Sequence, residues 1–221
     1  MIVFRGVNKR YSNGFNALVD VSLFIPGGSI TFITGHSGAG KSTLLKLIAL
    51  SEIATSGQIF VNNQDIAAFR GRRISQYRRT IGCVFQEHRL LIDRTVEDNV
   101  ALPLVVAGMP IRDCRRRVRA ALEKVNLGRL AGSYPDTLSV GEQQRVGIAR
   151  ALVARPDVIL ADEPTGNLDP DLAEEIMRLF FLFHELDTTV VIATHDHRHL
   201  SNPAAGHLKL DHGHVIEDPY L

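Results

Sequence analysis

Residues 35–42 read "GHSGAGKS", three glycines followed by a lysine and a serine in the order that phosphate chemistry asks for. Gly35, Gly38 and Gly40 let the backbone curl until its amides point inward, where phosphate oxygens can accept from them. Lys41 is long enough to reach the β- and γ-phosphates of a nucleotide, and Ser42 offers a hydroxyl to Mg²⁺. The run "SITFIT" precedes the loop and "STLLKLIAL" follows it, so it falls between a strand and a helix start, where the helix dipole favours an anion. A ligand-free glycine turn would account for the glycines but not for the lysine and serine after them.

Binding a nucleotide is not hydrolysing it; hydrolysis also needs an acid to hold the metal and a base to activate water. "VILADEP", residues 158–164, offers both at the end of an apolar strand: Asp162 for Mg²⁺ and Glu163 as general base. Adjacent acids at a strand end are commonly just solvated, and the phosphate loop is what favours the catalytic reading. Gln86 closes the run "IGCVF" and is placed to bond both Mg²⁺ and the attacking water. His195, after "VVIAT", is placed to touch the γ-phosphate, or is one surface histidine among nine. Tyr11 offers a ring for adenine to stack on, or is a half-exposed core aromatic. In "LSVGEQQ", residues 138–144, Ser139 and Glu142 have capping-box spacing, and Val146, Ala149 and Val153 continue at helical spacing.

The elements that must position these residues are strands at both ends of the chain and helices between. "IVF" and "ALVDVSLFI" read as strands, the second with Val19, Val21, Leu23 and Ile25 alternating against Asp20 and Ser22, and "PGG" turns the chain before "SITFIT". "GQIFVNN" suggests a further strand pair and "IGCVF" another strand. From about 87 to 155 β-runs vanish, and Val118, Leu122 and Val125 recur at helical spacing beside Arg115, Arg116, Arg117 and Arg119, a solvated face. Strand signals return in "DVILAD", "TTVVIAT" and "HLKLDHGHVIE", where "DHG" reads as a hairpin turn. The expected organisation is an α/β core over about 1–86 and 156–221, interrupted by a helical subdomain over about 87–155.

Composition narrows the class. Across 221 residues, 25 Lys and Arg nearly cancel 24 Asp and Glu, so bulk charge gives no argument for a nucleic-acid partner. Cys83 and Cys114 lack metal-ligand spacing and suit a reducing compartment. "MIVFRGVNKRY" has no signal-peptide layout, and "VALPLVVAGMPI" is too short and proline-rich to span a bilayer. The expectation is a cytoplasmic protein whose membrane association comes through a partner.

"GHSGAGKST", Gln86, "LSVGEQQ", "ILADEPTGNLD" and His195, in that order, resemble the ATP-binding cassette (ABC) ATPases over essentially the whole chain. The resemblance implies a P-loop NTPase core with a mixed sheet, an N-terminal antiparallel β part and an inserted helical subdomain, using ATP and Mg²⁺. It implies that Gly35, His36, Ser37, Gly38, Ala39, Gly40, Lys41, Ser42 and Thr43 line the nucleotide, with Ser42, Gln86 and Asp162 toward the metal. It also implies an ATP-dependent head-to-tail homodimer, in which Ser139, Gly141 and Glu142 of one copy face the nucleotide of the other and Asp169 of "GNLD" crosses the interface. Val140 stands where the family usually has glycine, and Glu142 where glutamine is commoner. "TGHSGAGKSTLLKLI", "FQEHRLLIDRTVEDNVALPL" and "GEQQRVGIARALV" look most like the cell-division branch, which works with an integral membrane subunit on the cytoplasmic face of the bacterial inner membrane. The lipoprotein-release and macrolide-efflux branches are the runner-up, and a non-hydrolysing nucleotide-dependent scaffold is the alternative of another class. Leu90, Leu91 and Ile92 are apolar residues in a charged stretch, either a docking surface for the membrane subunit or subdomain core.

Overall fold

The computed structural model describes residues 1–85, 89–166, 168–196, 202 and 204–220. The first half of the chain contains β1 (Ile2–Arg10), β2 (Asn16–Ile25), β3 (Ile30–Thr34), α1 (Lys41–Ile48), β4 (Ser56–Val61), β5 (Gln64–Asp65), α2 (Arg72–Arg78) and β6 (Ile81–Val84). There follow α3 (Val96–Val106), α4 (Ile111–Lys124), α5 (Val140–Leu152), β7 (Val158–Asp162), α6 (Pro170–His184), β8 (Thr189–Ala193), β9 (Ala205–Asp211) and β10 (His214–Glu217). Strands β2-β1-β4-β5 form an antiparallel sheet and β10-β9-β3-β8-β7-β6 a mixed one, parallel except where β10 pairs with β9.

The mixed sheet runs through the middle because its strands are apolar on both faces: β3 and β8 are buried at every position and β7 at all but Asp162. Successive side chains point to opposite faces. Ile33, Leu160 and Val191 therefore join one core with Leu44, Leu47 and Ile48 of α1 and the antiparallel sheet. Phe32, Ile159, Val190 and Ile192 join a second with Ile176, Met177 and Phe180 of α6 and with α3, α4 and α5. Parallel strands bring their carboxyl ends to one edge, so the loops after β3, β7 and β8 emerge together.

Among the described residues of 89–155 there is no strand; α3 and α4 follow one another directly, and two short 3₁₀ turns lie between α4 and α5. α4 buries Cys114, Val118 and Leu122 and leaves its arginines outside, where Arg116 pairs with Asp113 and Arg119 with Glu123, as the solvated reading expects. The hairpin expected at "DHG" is present: His212 and Gly213 take φ 44° and 82°, the left-handed pair that a two-residue turn needs.

Two expectations change. The strand begun at "IVF" continues through Arg10, its pairing with β2 interrupted by register shifts around Gly6 at φ 57°. In β2, Asp20 at φ 47° shifts the alternation, so Leu18 is buried in place of Val19. Helices α2 and α6 fall where the sequence reading marks no element. No helix among the described residues is long and apolar enough to cross a membrane.

Candidate active site

The loop after β3 is shaped by its neighbours. A Cβ on Gly35 would stand 2.2 Å from the Leu210 carbonyl oxygen of β9, and one on Gly40 2.6 Å from that of Ala17 in β2. Gly38, at φ 81°, would meet nothing within 4 Å, so only its backbone conformation calls for glycine and the space before it is open. Gly40 precedes α1 with no side-chain cap, which leaves the helix's first amides to whatever enters the loop. Lys41 Nζ donates to the carbonyls of Gly35 at 2.7 Å and His36 at 3.1 Å, folded over its own loop. Half-buried Tyr11 reaches the same place: its hydroxyl lies 3.2 Å from Thr43 Oγ1, and Lys9 Nζ sits 4.8 Å from its ring centre. Thr43 is itself buried.

At the end of β7, the Asp162 carboxyl lies beside the hydroxyl of Ser42, the residue after Lys41. Burial raises the Asp162 carboxyl above its ordinary range and the Glu163 charge adds to this, while the Ser42 hydroxyl, Lys46 and Lys41 pull the other way. Glu163 occupies the left-handed region at φ 48° and donates its amide to Ala193 of β8 at 2.9 Å. A non-glycine residue held there costs about 1–2 kcal/mol, strain of the kind stored at working sites. The Glu163 side chain is 16 % exposed, with Oε2 2.8 Å from His195 Nδ1. His195, expected at the γ-phosphate, thus bonds Glu163 here.

The capping box at the start of α5 is formed. Ser139 Oγ accepts from the Glu142 amide at 3.3 Å, and the Ser139 amide donates to Glu142 Oε2 at 2.8 Å. The Ser139 hydroxyl, which donates to Glu142 Oε2 at 2.7 Å, and the Ser139 amide hold the Glu142 carboxyl below its ordinary value. Gly141 packs against Leu168, where a Cβ would stand 3.3 Å from Cδ2, while Val140 is 54 % exposed. Asp169 is exposed and caps α6, accepting from the Leu172 amide at 3.0 Å. Among the described residues no hydrogen bond joins Ser139 or Gly141 to residues 35–42. The structure therefore assembles Lys41, Ser42, Asp162, Glu163 and His195 at one sheet edge and keeps the α5 N-terminus apart. Gln86 lies outside the described residues.

Two buried amides escaped the sequence reading. Gln144 of α5 donates Nε2 to the Pro164 carbonyl at 2.8 Å, tying the "LSVGEQQ" helix to the segment after Glu163. Asn99 of α3 accepts from the Leu91 amide and donates to the carbonyls of Leu91, Arg94 and Thr95 at 2.8–3.2 Å. Neither is marked by periodicity; an amide inside an otherwise apolar helix face was the available signal. Asn99 fixes the turn that presents Leu91 and Ile92, 41 % and 75 % exposed, whereas Leu90 packs partly against the core. Nearby, Cys83, Phe85, Arg89, Leu102, Val106 and Arg150 line a groove of about 600 Å³.

The ABC transporter family profile matches residues 18–166. The cell division ATP-binding protein FtsE of Escherichia coli (strain K12) is 52% identical over 215 residues, 97% of each chain. The methionine import ATP-binding protein MetN of Bradyrhizobium diazoefficiens is 43% identical over all of this chain but 66% of its own length. Among solved structures, the dimeric post-hydrolysis state of the ATP-binding cassette MJ0796 bound to ADP and Pi superposes with a TM-score of 0.92. That match is at 36% identity and covers 98% of this chain and 97% of the other.

Proposed function

The chain belongs to the ABC transporter family of ATP-binding domains and is an ATPase, and from that premise we propose that it powers a membrane complex of bacterial cell division. The observation that carries the catalytic reading is the pairing of Glu163 with His195 at 2.8 Å at the sheet edge from which the phosphate loop emerges, with Asp162 ending the same strand. The cell-division reading rests on identity running the full length of FtsE, whereas a third of the import protein lies beyond this chain. We keep the division into a core of about 1–86 and 156–221 and a helical subdomain of about 87–155 as part of this proposal.

The residues fit their substrate. Gly35 and Gly40 are enforced by neighbouring backbone, Gly38 borders open space and α1 begins with no side-chain cap, so the loop has room and helix-start amides for phosphate, and Ser42 and Asp162 are an all-oxygen donor pair suited to Mg²⁺, with Gln86 as a third. Mg²⁺ held there would neutralise phosphate charge. Lys41 exchanges its two carbonyl partners for the β- and γ-phosphates, a stronger charge-assisted pairing. Glu163 takes the proton of the attacking water as general base, and His195 at 2.8 Å orients its carboxylate. Tyr11 stacks on the adenine.

The α5 N-terminus needs a second copy. Its capping box satisfies the Ser139 and Glu142 amides and leaves those of Val140 and Gly141, the first two of the helix, for an anion. With no bond to its own phosphate loop, Ser139 and Gly141 serve the nucleotide of the partner in an ATP-dependent head-to-tail dimer, with Glu142 holding the cap and Asp169 at the same interface. The solved MJ0796 relative is dimeric. Leu91, Ile92 and the adjoining groove receive the cytoplasmic helix of an integral membrane subunit resembling FtsX, which places the protein on the cytoplasmic face of the inner membrane. There it regulates peptidoglycan hydrolysis.

Phosphate release from wild-type and Glu163→Gln protein tests the enzyme reading. Glu163→Gln is expected to keep ATP binding and lose turnover by about a hundredfold or more. Unchanged turnover would remove Glu163 from its role, and no turnover in wild type would leave a nucleotide-dependent scaffold.

A further inference from the structure

The phosphate loop and the β9–β10 hairpin meet in three metal-ligating side chains whose contacts with one another play no part in the ATPase chemistry. His36 Nε2 lies 3.3 Å from Asp211 Oδ1, and His212 Nδ1 lies 3.0 Å from the same oxygen. The two imidazoles are tilted by 51° with ring centres 4.5 Å apart, and one ligand atom from each residue falls within 4.8 Å of the others. A four-coordinate ion with bonds of about 2.0–2.1 Å sets its ligands about 3.3 Å apart, so two of the three edges already have that spacing.

The protonation pattern agrees. His36 Nδ1 is 2.6 Å from the Ser37 carbonyl, which can only accept, so the proton sits on Nδ1 and Nε2 carries the lone pair. The His212 amide, 3.4 Å away, donates to that lone pair. A ring N–H given to a backbone carbonyl is the outer contact by which ligating histidines are oriented. The hairpin is also held: Gly213 donates to the Ala39 carbonyl at 3.1 Å and accepts from the Val19 amide at 2.9 Å. Two imidazoles and a carboxylate with open positions suit zinc and its neighbours, whereas Mg²⁺ prefers oxygen alone.

We propose that His36, Asp211 and His212 bind a divalent transition-metal ion of the zinc class, which ties the phosphate loop to the hairpin and slows ATP turnover. The His36 carbonyl is one of the two that hold Lys41, so an ion on the His36 ring anchors the loop in the posture that withholds the lysine. This inhibitory half rests on reading residues 35–42 as the nucleotide loop; the metal site does not.

Untagged protein titrated with ZnCl₂ in a calorimeter, without nucleotide, tests the site directly. Wild type is expected to show one site that weakens at least tenfold in both Asp211→Asn and His212→Asn, variants at a partly exposed hairpin tip. No binding, or equal binding in wild type and variants, overturns the site whether or not the chain hydrolyses ATP. Phosphate release in excess Mg²⁺-ATP then tests the inhibition. Micromolar zinc should slow wild type but spare His212→Asn, whose zinc-free rate should equal that of wild type. Equal slowing of the two would overturn the inhibitory half.

Discussion

Val140 is exposed at the first turn of α5 and buries nothing in the core, so the fold has no use for its side chain. Its consequence is expected in association. A branched residue crowding an interface costs about 1–3 kcal/mol, a factor of roughly ten to a hundred, while Val140→Gly weakens the helix by at most about 1 kcal/mol. Val140→Gly in a Glu163→Gln background should therefore raise the ATP-bound dimer fraction; equal fractions would mean that Val140 points away from the nucleotide. Cys83 carries a second prediction at this scale. Burial pushes its thiol from 9.0 up to about 12, against the opposing charges of Arg78, Arg150 and Arg89. The folded chain thus keeps a proton that the unfolded chain loses, so this contribution to stability is full below about pH 9 and disappears as pH rises toward 12. At pH 8 a thiol reagent should label the native protein slowly and both cysteines only after denaturation. Single residues were the most legible level, because "GHSGAGKS" and "ILADEP" carry their chemistry in adjacent positions. The Glu163–His195 pair was not legible, since it depends on β7 and β8 being neighbours with Asp162 opposite Ala193.

Among the elements, α3 shows how a buried amide positions a surface. Asn99 satisfies both backbone groups of Leu91 and two further carbonyls in the turn before the helix. Removing it takes the partner from the partly buried Leu91 amide and Arg94 carbonyl, each worth about 1–3 kcal/mol if water does not reach them, while the Leu91 and Thr95 carbonyls keep the backbone amides of residues 94 and 99. Asn99→Ala should lower the melting temperature by several degrees and reduce copurification of the membrane subunit, because Leu91 and Ile92 lose their fixed presentation; an unchanged melt would show that the turn holds itself. Strands buried on both faces, such as β3 and β8, were readable as unbroken apolar runs. The length of β1 and the phase of β2 were not, because Gly6 and Asp20 take backbone conformations that no alternation pattern encodes. The α4 arginines behaved as the solvated face that the sequence predicts.

At the scale of the molecule, one chain holds a phosphate loop with Asp162 and Glu163 at a sheet edge, and separately a helix start with two amides outside the capping box. Gln144 connects the two, bonding α5 to the carbonyl of Pro164 beside Glu163, so in the proposed dimer a partner's nucleotide at α5 would bear on Glu163. The α/β core with its helical insert was legible from the order of strand signals and its two sheets only through the family resemblance, while the separation of the two half-sites was visible only in three dimensions. The central claim is that two copies enclose ATP between them. Sedimentation of Glu163→Gln, with and without Ser139→Asp, measures this most directly. Aspartate is as good a helix cap as serine but sets a negative charge against the partner's γ-phosphate. Mg²⁺-ATP is expected to convert Glu163→Gln to a two-chain species, and adding Ser139→Asp to leave it a folded, ATP-binding monomer. Dimerisation unaffected by Ser139→Asp, or a Glu163→Gln protein that binds ATP and stays monomeric, would contradict that claim.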